Sequence, residues 1–317
     1  MADLKKQYFL IQDGCEIGAR PIDLHLSGFR KLGINIEENS GLIRCSCDKI
    51  IGTEIHLDFP SVGATENLIL ASVLAEGQTV ITNAAMEPEI ADLQEFLNKM
   101  GAKVEGAGTN IVRIKGVKNL REASYTVMPD RIEAGTFLCA GAITGGNIQI
   151  ENVVSSHIFP VISKLEESGC KIDIREDNIE IMAPKRLLAT EIKTTPYPGF
   201  PTDMQSIFGA SMAVAKGTSM IVENIFENRF KYVNELIRMG AKINIEGRMA
   251  LIKGVKRLSG TEVFSSDLRG GAALVIAGLV AKGKTKINNI EYILRGYENF
   301  DKKLSSLGAR IILEEGE

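Results

Sequence analysis

A short run near the amino terminus, residues 13–25, concentrates residue types that do chemistry. Gly14 and Gly18 let the backbone turn tightly and approach a ligand closely. Cys15 stands between them, and Arg20 follows five residues later. A nearby guanidinium favours the thiolate and can also grip a phosphate or carboxylate through two parallel hydrogen bonds. Pro21 stiffens the chain where Arg20 and Asp23 must be aimed. A lone cysteine is ordinarily a small packing residue. Turn glycines, thiol, arginine, proline and aspartate in one run favour a site instead.

Other segments carry chemistry with two readings each. The stretch from Tyr197 to Gln205 leads into an apolar segment. Thr202 or Asp203 is there either a helix cap or dipole partner, or Asp203 is a carboxylate in a Pro/Gly-framed turn, available as a general base. Arg229 lies in Phe226-Glu227-Asn228-Arg229-Phe230, Asp267 and Arg269 in the run from Ser266 to Gly271, and Arg295 in the run from Leu294 to Glu298. Alone, each reads as a cap or a surface ion pair. Together they occupy corresponding connections of a repeat, and converging cations are what a phosphate and a carboxylate need. Pro60-Ser61-Val62-Gly63 opens another helix, as a plain serine cap or as an anion site of backbone N–H groups and hydroxyl. None of His25, His56 and His157 reads as a general base. Cys45 and Cys47 form the one close cysteine pair, but no second pair accompanies them as a metal site would require. Cys139 and Cys170 read as packing residues.

These residues hang on a repeated scaffold. Five amphipathic helices end at Gly33, Gly101, Gly169, Gly240 and Gly308, spaced 68, 68, 71 and 68 residues apart, each followed by alternating strand residues. A second series, apolar nearly all round, begins near Gly63, Glu133, Asp203 and Arg269 and ends at Gly77, Gly146, Gly217 and Gly283. Each of these is followed by a short strand: Val80–Thr82, Ile148–Ile150, Met220–Val222 and Lys286–Ile287. One unit is therefore helix, strand, helix, strand, strand, and about four and a half such units are present.

Composition narrows the class. The 317 residues, 44% apolar and 24% charged, suffice for two domains with their own cores. A net charge of −3 gives no reason to expect nucleic-acid or anionic-membrane binding. The longest apolar run, 270–281, is too short to span a bilayer, and the first residues lack the apolar core of a signal peptide. Five cysteines in a sparse, odd set fit a reducing, cytoplasmic compartment.

The pattern Gly14-Cys15-x-Ile17-Gly18-x-Arg20-Pro21-x-Asp23-Leu24-His25 resembles the active-site loop of the UDP-N-acetylglucosamine 1-carboxyvinyltransferase (enolpyruvyl transferase) family, and the resemblance runs from about residue 8 to the end. It implies a two-domain α/β fold of repeated βαβαββ units, an inside-out α/β barrel, with 1–128 in the first domain and 129–317 in the second. Six units would take roughly 410–420 residues at this period, so about 100 residues are expected to be missing from the amino terminus. The resemblance further implies enolpyruvyl transfer from phosphoenolpyruvate to the 3-hydroxyl of UDP-N-acetylglucosamine. Asp203 is then the base on the hydroxyl, and Cys15 the acid toward the vinyl carbon. Cys15, Arg20, Arg269 and Arg295 face phosphoenolpyruvate, with Arg229 beside them and Asp267 positioning them. Ser61, Val62 and Gly63 take the diphosphate, Arg20, Pro21, Ile22, Asp23 and Leu24 the uridine end, and Ile225 the sugar. No metal or organic cofactor is implied. The family is usually monomeric, and loss of neighbouring units is expected to bare apolar helix faces and promote self-association. The competing expectation is an inactive UDP-sugar-binding remnant, or half of a split enzyme.

Overall fold

The computed structural model describes residues 7–10, 22–39 and 42–314. The described residues up to Met128, together with Pro196–Pro198, cluster as one unit, and Pro129–Thr195 with the residues from Gly199 onward as a second. In chain order the first unit holds β1 (Gln7–Leu10), α1 (Asp23–Lys31), β2 (Asn35–Asn39), β3 (Leu42–Ser46), β4 (Glu54–His56), α2 (Val62–Ser72), β5 (Gln78–Thr82), α3 (Pro88–Lys99), β6 (Val104–Glu105) and β7 (Ile111–Lys115). The second begins with α4 (Arg131–Thr144), β8 (Asn147–Glu151), a 3₁₀ turn, α5 (Phe159–Glu167), β9 (Lys171–Ile174), β10 (Asn178–Met182) and β11 (Glu191–Lys193). It continues with α6 (Thr202–Met212), β12 (Thr218–Val222), α7 (Tyr232–Arg238), β13 (Lys242–Glu246), β14 (Met249–Lys253), β15 (Glu262–Phe264), α8 (Leu268–Gly278), β16 (Lys286–Asn288), α9 (Glu291–Leu294) and α10 (Phe300–Ser306).

One topology recurs. β4 and β5 pair in parallel through the crossover helix α2, as β11 and β12 do through α6 and β15 and β16 through α8. An antiparallel hairpin then completes the sheet, giving the orders β4-β5-β7-β6 and β11-β12-β14-β13. The β1-β3-β2 and β8-β10-β9 sheets repeat its antiparallel part. Alternation sets the buried face: Ile81, Val112 and Ile114 in one sheet and Ile221, Ala250 and Ile252 in the other are wholly buried, while their chain neighbours face outward.

The five amphipathic helices stop where the spacing predicts. Gly33, Gly101, Gly169, Gly240 and Gly308 have φ of +85°, +97°, +98°, +94° and +96°, which side chains with a Cβ rarely adopt. The apolar series departs from expectation. α2, α6 and α8 end at Ser72, Met212 and Gly278, short of Gly77, Gly217 and Gly283. In the interval the backbone is drawn into parallel bridges, Ile51 with Glu76, Leu188 with Lys216 and Ser259 with Lys282, which withdraw its carbonyls from the helical ladder. The fourth helix, α4, runs on to its glycine, and Gly145 (φ +65°) rather than Gly146 takes the left-handed turn. Residues 309–314, expected as strand, carry none. β9 and β13 are each held by a following strand, β10 and β14, and 309–314 have no such ladder partner among the described residues.

The core of the second unit is the stack of α4, α6 and α8. Residues 204–213 of α6 and the turn after it are buried without interruption. Gly209 leaves room on α6 for the side chain that opens α7, since a Cβ there would lie 2.6 Å from the Tyr232 hydroxyl. Burying Phe208 in that stack is worth about 1.5–3 kcal/mol in transfer alone. Cys139 and Cys170 lie in the same core.

Candidate active site

Each helix of that stack brings a charged residue to its first turn. α4 starts at Arg131, capped by Asp130, whose Oδ1 accepts from Ile132 N (2.7 Å) and Glu133 N (3.1 Å). α6 carries Asp203. α8 carries Arg269 behind Asp267, whose Oδ1 accepts from Arg269 N (3.1 Å) and Gly270 N (2.8 Å). Asp267 is thus the cap that fixes the turn bearing Arg269. On α6, neither Thr202 nor Asp203 caps: Pro201 holds the cap position, and the Thr202 hydroxyl turns away to the buried Glu223.

Asp203 is the centre of the cluster. Its Oδ1 pairs with Arg229 Nη2, and its Oδ2 lies 3.5 Å from Arg269 Nη2. Burial would push its carboxyl up, but the guanidiniums of Arg229, Arg269 and Arg131 outweigh burial and hold it below the ordinary carboxylate value. The Asp203 side chain keeps 41% of its surface open although both paired arginines are nearly covered, so the carboxylate is the accessible floor of a cationic nest. Among the described residues, no hydrogen-bond acceptor meets the buried Arg229 Nε or Arg269 Nε and Nη1. An unpaired buried cationic donor is costly, and an incoming anion relieves that cost. The guanidiniums also lie over aromatic faces, Arg229 over Phe226 at 5.6 Å and Arg269 over Tyr297 at 5.3 Å.

Arg295 does not join this cluster. It ends α9, is exposed, and lies over the Tyr292 ring at 5.8 Å. Arg131 was not singled out from the sequence, yet its charge acts on Asp203. The available signal was its place at the head of an apolar helix, matching Arg269 in α8. Ile225, expected at the sugar, sits in the loop between β12 and α7, with its N–H bound to Glu223 Oε1 at 2.8 Å.

In the first unit, Ser61 is the N-cap of α2, its Oγ accepting from Ala64 N at 3.3 Å. That realises the plain-cap reading. It leaves Val62 and Gly63 in the first turn, where backbone N–H groups have no intrahelical partner. His25 packs on this turn, its Cε1 lying 3.4 Å from where a Cβ at Gly63 would stand. His25 Nδ1 is 2.8 Å from the Asn67 amide of α2, and burial lowers its pKa against the pull of Asp23. Ile22, Asp23 and Leu24 line a concavity of about 530 Å³ with Leu26, Arg30, His56 and Asp58. Cys15, Arg20 and Pro21 lie outside the described residues. Among the described residues, no three His, Cys, Asp or Glu side chains gather to hold a metal ion, and no helix is long and apolar enough to cross a membrane.

Comparison with known proteins identifies the family and the fold. Residues 1–304 match the family profile described as EPSP synthase (3-phosphoshikimate 1-carboxyvinyltransferase). A UDP-N-acetylglucosamine 1-carboxyvinyltransferase 1 of Caldanaerobacter subterraneus subsp. tengcongensis is 58% identical over 298 residues, covering 94% of this chain and 72% of that protein. The UDP-N-acetylglucosamine 1-carboxyvinyltransferase of Finegoldia magna is 54% identical over 301 residues, 94% of this chain and 71% of its own length. Among solved structures, the enolpyruvyl transferase NikO from Streptomyces tendae superposes with a TM-score of 0.82 at 23% identity, over 92% of this chain and 72% of that one. An EPSP synthase from Acinetobacter baumannii gives 0.70 at 20% identity, over 97% and 74%. The fold is that of the enolpyruvyl transferases.

Proposed function

From the premise that this chain belongs to the UDP-N-acetylglucosamine 1-carboxyvinyltransferase family, we propose that it transfers the enolpyruvyl group of phosphoenolpyruvate to the 3-hydroxyl of UDP-N-acetylglucosamine. Phosphate is released, and the product enters peptidoglycan precursor synthesis. The observation that carries the site assignment is the half-open Asp203 carboxylate held by Arg229 and Arg269, whose further buried N–H donors meet no acceptor among the described residues.

Asp203 takes the proton of the 3-hydroxyl as its oxygen bonds to C2 of phosphoenolpyruvate. Cys15 delivers a proton to C3, giving a tetrahedral intermediate. Loss of a C3 proton with departure of phosphate restores the double bond on the sugar. A carboxylate gripped by guanidiniums is a weak base. The phosphate and carboxylate of phosphoenolpyruvate compete for the same guanidiniums, so their arrival loosens the hold on Asp203 and raises its basicity. Arg20 and Arg269 take the charges of that substrate, with Arg229 beside them, Asp267 fixing the Arg269 turn, and Arg295 reaching in from its place outside the cluster at the end of α9. Ser61, Val62 and Gly63 receive the diphosphate at the start of α2. The concavity beside Ile22, Asp23 and Leu24 receives the uridine end with Arg20 and Pro21, and Ile225 meets the sugar. A cytoplasmic setting goes with these substrates. The exposed Leu70 and Leu74 of the first unit support self-association through that face, which sedimentation velocity tests.

The test is phosphate release by the purified chain given both substrates, beside Cys15→Ala and Asp203→Asn. Release is expected to require both substrates and to fall about 10²–10⁴-fold in Asp203→Asn. UDP-sugar binding without release sinks the catalytic reading in favour of a binding remnant. Release appearing only when a separate polypeptide is added identifies half of a split enzyme.

A further inference from the structure

We propose that Glu223 is a positioning residue that ties together two substrate-facing elements, the first turn of α6 and the Ile225–Phe226 backbone. The inference rests on the reading of Asp203 and Ile225 given above and names what holds both in place. Glu223 follows β12 directly and is wholly buried. Its Oε1 accepts from Thr194 Oγ1 (2.9 Å), Ile225 N (2.8 Å) and Phe226 N (3.1 Å). Its Oε2 accepts from Thr202 Oγ1 (3.0 Å). None of these four donors carries a charge. A buried carboxylate held by neutral donors is a costly way to fill space, and an aliphatic side chain would pack there more cheaply. What the carboxylate gives is directional: two oxygens, each bound to a different element.

The division is clean. Among the described residues, Oε2 reaches only Thr202, the residue before Asp203, whose carbonyl also accepts from Arg229 Nη2 at 3.3 Å. Oε1 gathers the loop that leads from β12 toward Arg229. Thr194 reinforces that side, since its Oγ1 accepts from Asn224 N (2.9 Å) and its carbonyl from Asn224 Nδ2 (3.0 Å). One buried side chain therefore sets the spacing between the base and the backbone that meets the sugar. Misplacement by about 1 Å at such a site costs up to about 100-fold in rate.

Two variants separate the arms. Thr202→Val removes the Oε2 arm and is expected to lower kcat about tenfold with KM for UDP-N-acetylglucosamine within about twofold. Thr194→Val weakens the Oε1 arm and is expected to raise that KM about tenfold with kcat within about twofold. Glu223→Ala combines both defects. Glu223→Gln, of the same shape, recovers most of each, with its oxygen toward the backbone N–H groups and its amide donating to the Thr202 hydroxyl. Amide hydrogen exchange gives a readout independent of turnover: Ile225 and Phe226 exchange faster in Glu223→Ala and Thr194→Val and unchanged in Thr202→Val. Equal kcat and KM effects in the two threonine variants, or equal exchange at Ile225 and Phe226 in all of them, would overturn the proposal. If the unmodified chain shows neither binding nor turnover, the functional reading fails, and the exchange pattern alone still decides the two-armed role. If Glu223→Ala does not fold, the threonine variants carry the test.

Discussion

α2 and α6 are apolar helices in equivalent parallel crossovers, yet they live in different surroundings. α6 lies between α4 and α8 and buries residues 204–213 without a break. α2 packs on α1 and α3 along one side, and on the other leaves Leu70, and Leu74 in the turn beyond, each 48% exposed. An all-round apolar helix asks for cover on every side. Whether it gets cover depends on how many helices reach it. The second unit meets that demand and gathers its charged residues at the end of a well-buried stack. The first unit meets it in part and is expected to open first under denaturant.

The largest effect should come from cutting into the covered stack. Phe208→Ala is expected to cost the second unit about 3–5 kcal/mol, seen as a lower denaturation midpoint. With two units the transition is not two-state, so each needs its own probe. The cysteines supply these. Cys139 is wholly buried with its thiol pushed up to about 12, and burial pushes Cys170 up to about 11, so both should resist alkylation until the second unit unfolds. Half-buried Cys45 and Cys47 report on the first unit and should react at lower urea. Simultaneous labelling of all four would break the proposed difference between the units.

Acid should separate the units with opposite signs. Asp203 sits below the ordinary carboxylate value, so the stability it contributes is complete above about pH 4 and is lost as pH falls from there through its folded value. Glu66 on α2 is pushed the other way, first by burial and then by Glu89 and Glu87. Its contribution is complete below about pH 4 and is lost as pH rises through its raised folded value. Denaturation midpoints read unit by unit across this range should therefore move in opposite directions, and Asp203→Asn should flatten the acid limb of the second unit alone. Parallel curves would show that these two groups do not govern the difference. The smallest effect is Leu70→Ala, within about 0.5 kcal/mol because little contact is lost. A cost near that of Phe208→Ala would show that the exposed face of α2 is covered in solution.

Much of this was legible beforehand because it is local. A helix that must end in a left-handed turn calls for glycine at that one residue, so Gly33 to Gly308 mark their stops without reference to distant chain. The ends of α2, α6 and α8 are not legible in this way, because the chain leaves the helix early to form bridges, and a bridge depends on a partner residue 23 to 28 positions away. Asp203, Arg229 and Arg269 were singled out by residue type and place in the repeat. Arg131 and Glu223 were not, since an arginine opening an apolar helix and a glutamate ending a strand carry no local mark of importance.

The sequence by itself determined the repeat, the helix stops, the alternation of the strands and the residue types at the head of each apolar helix, all set by backbone sterics and side-chain period. Only the tertiary structure decided which of those residues meet. It placed Arg131 and Arg269 near Asp203 while leaving Arg295 over Tyr292, covered α6 but not all of α2, and gave Glu223 four neutral partners. Such meetings join segments up to about seventy residues apart, and their geometry follows from how whole helices pack rather than from any short stretch of chain.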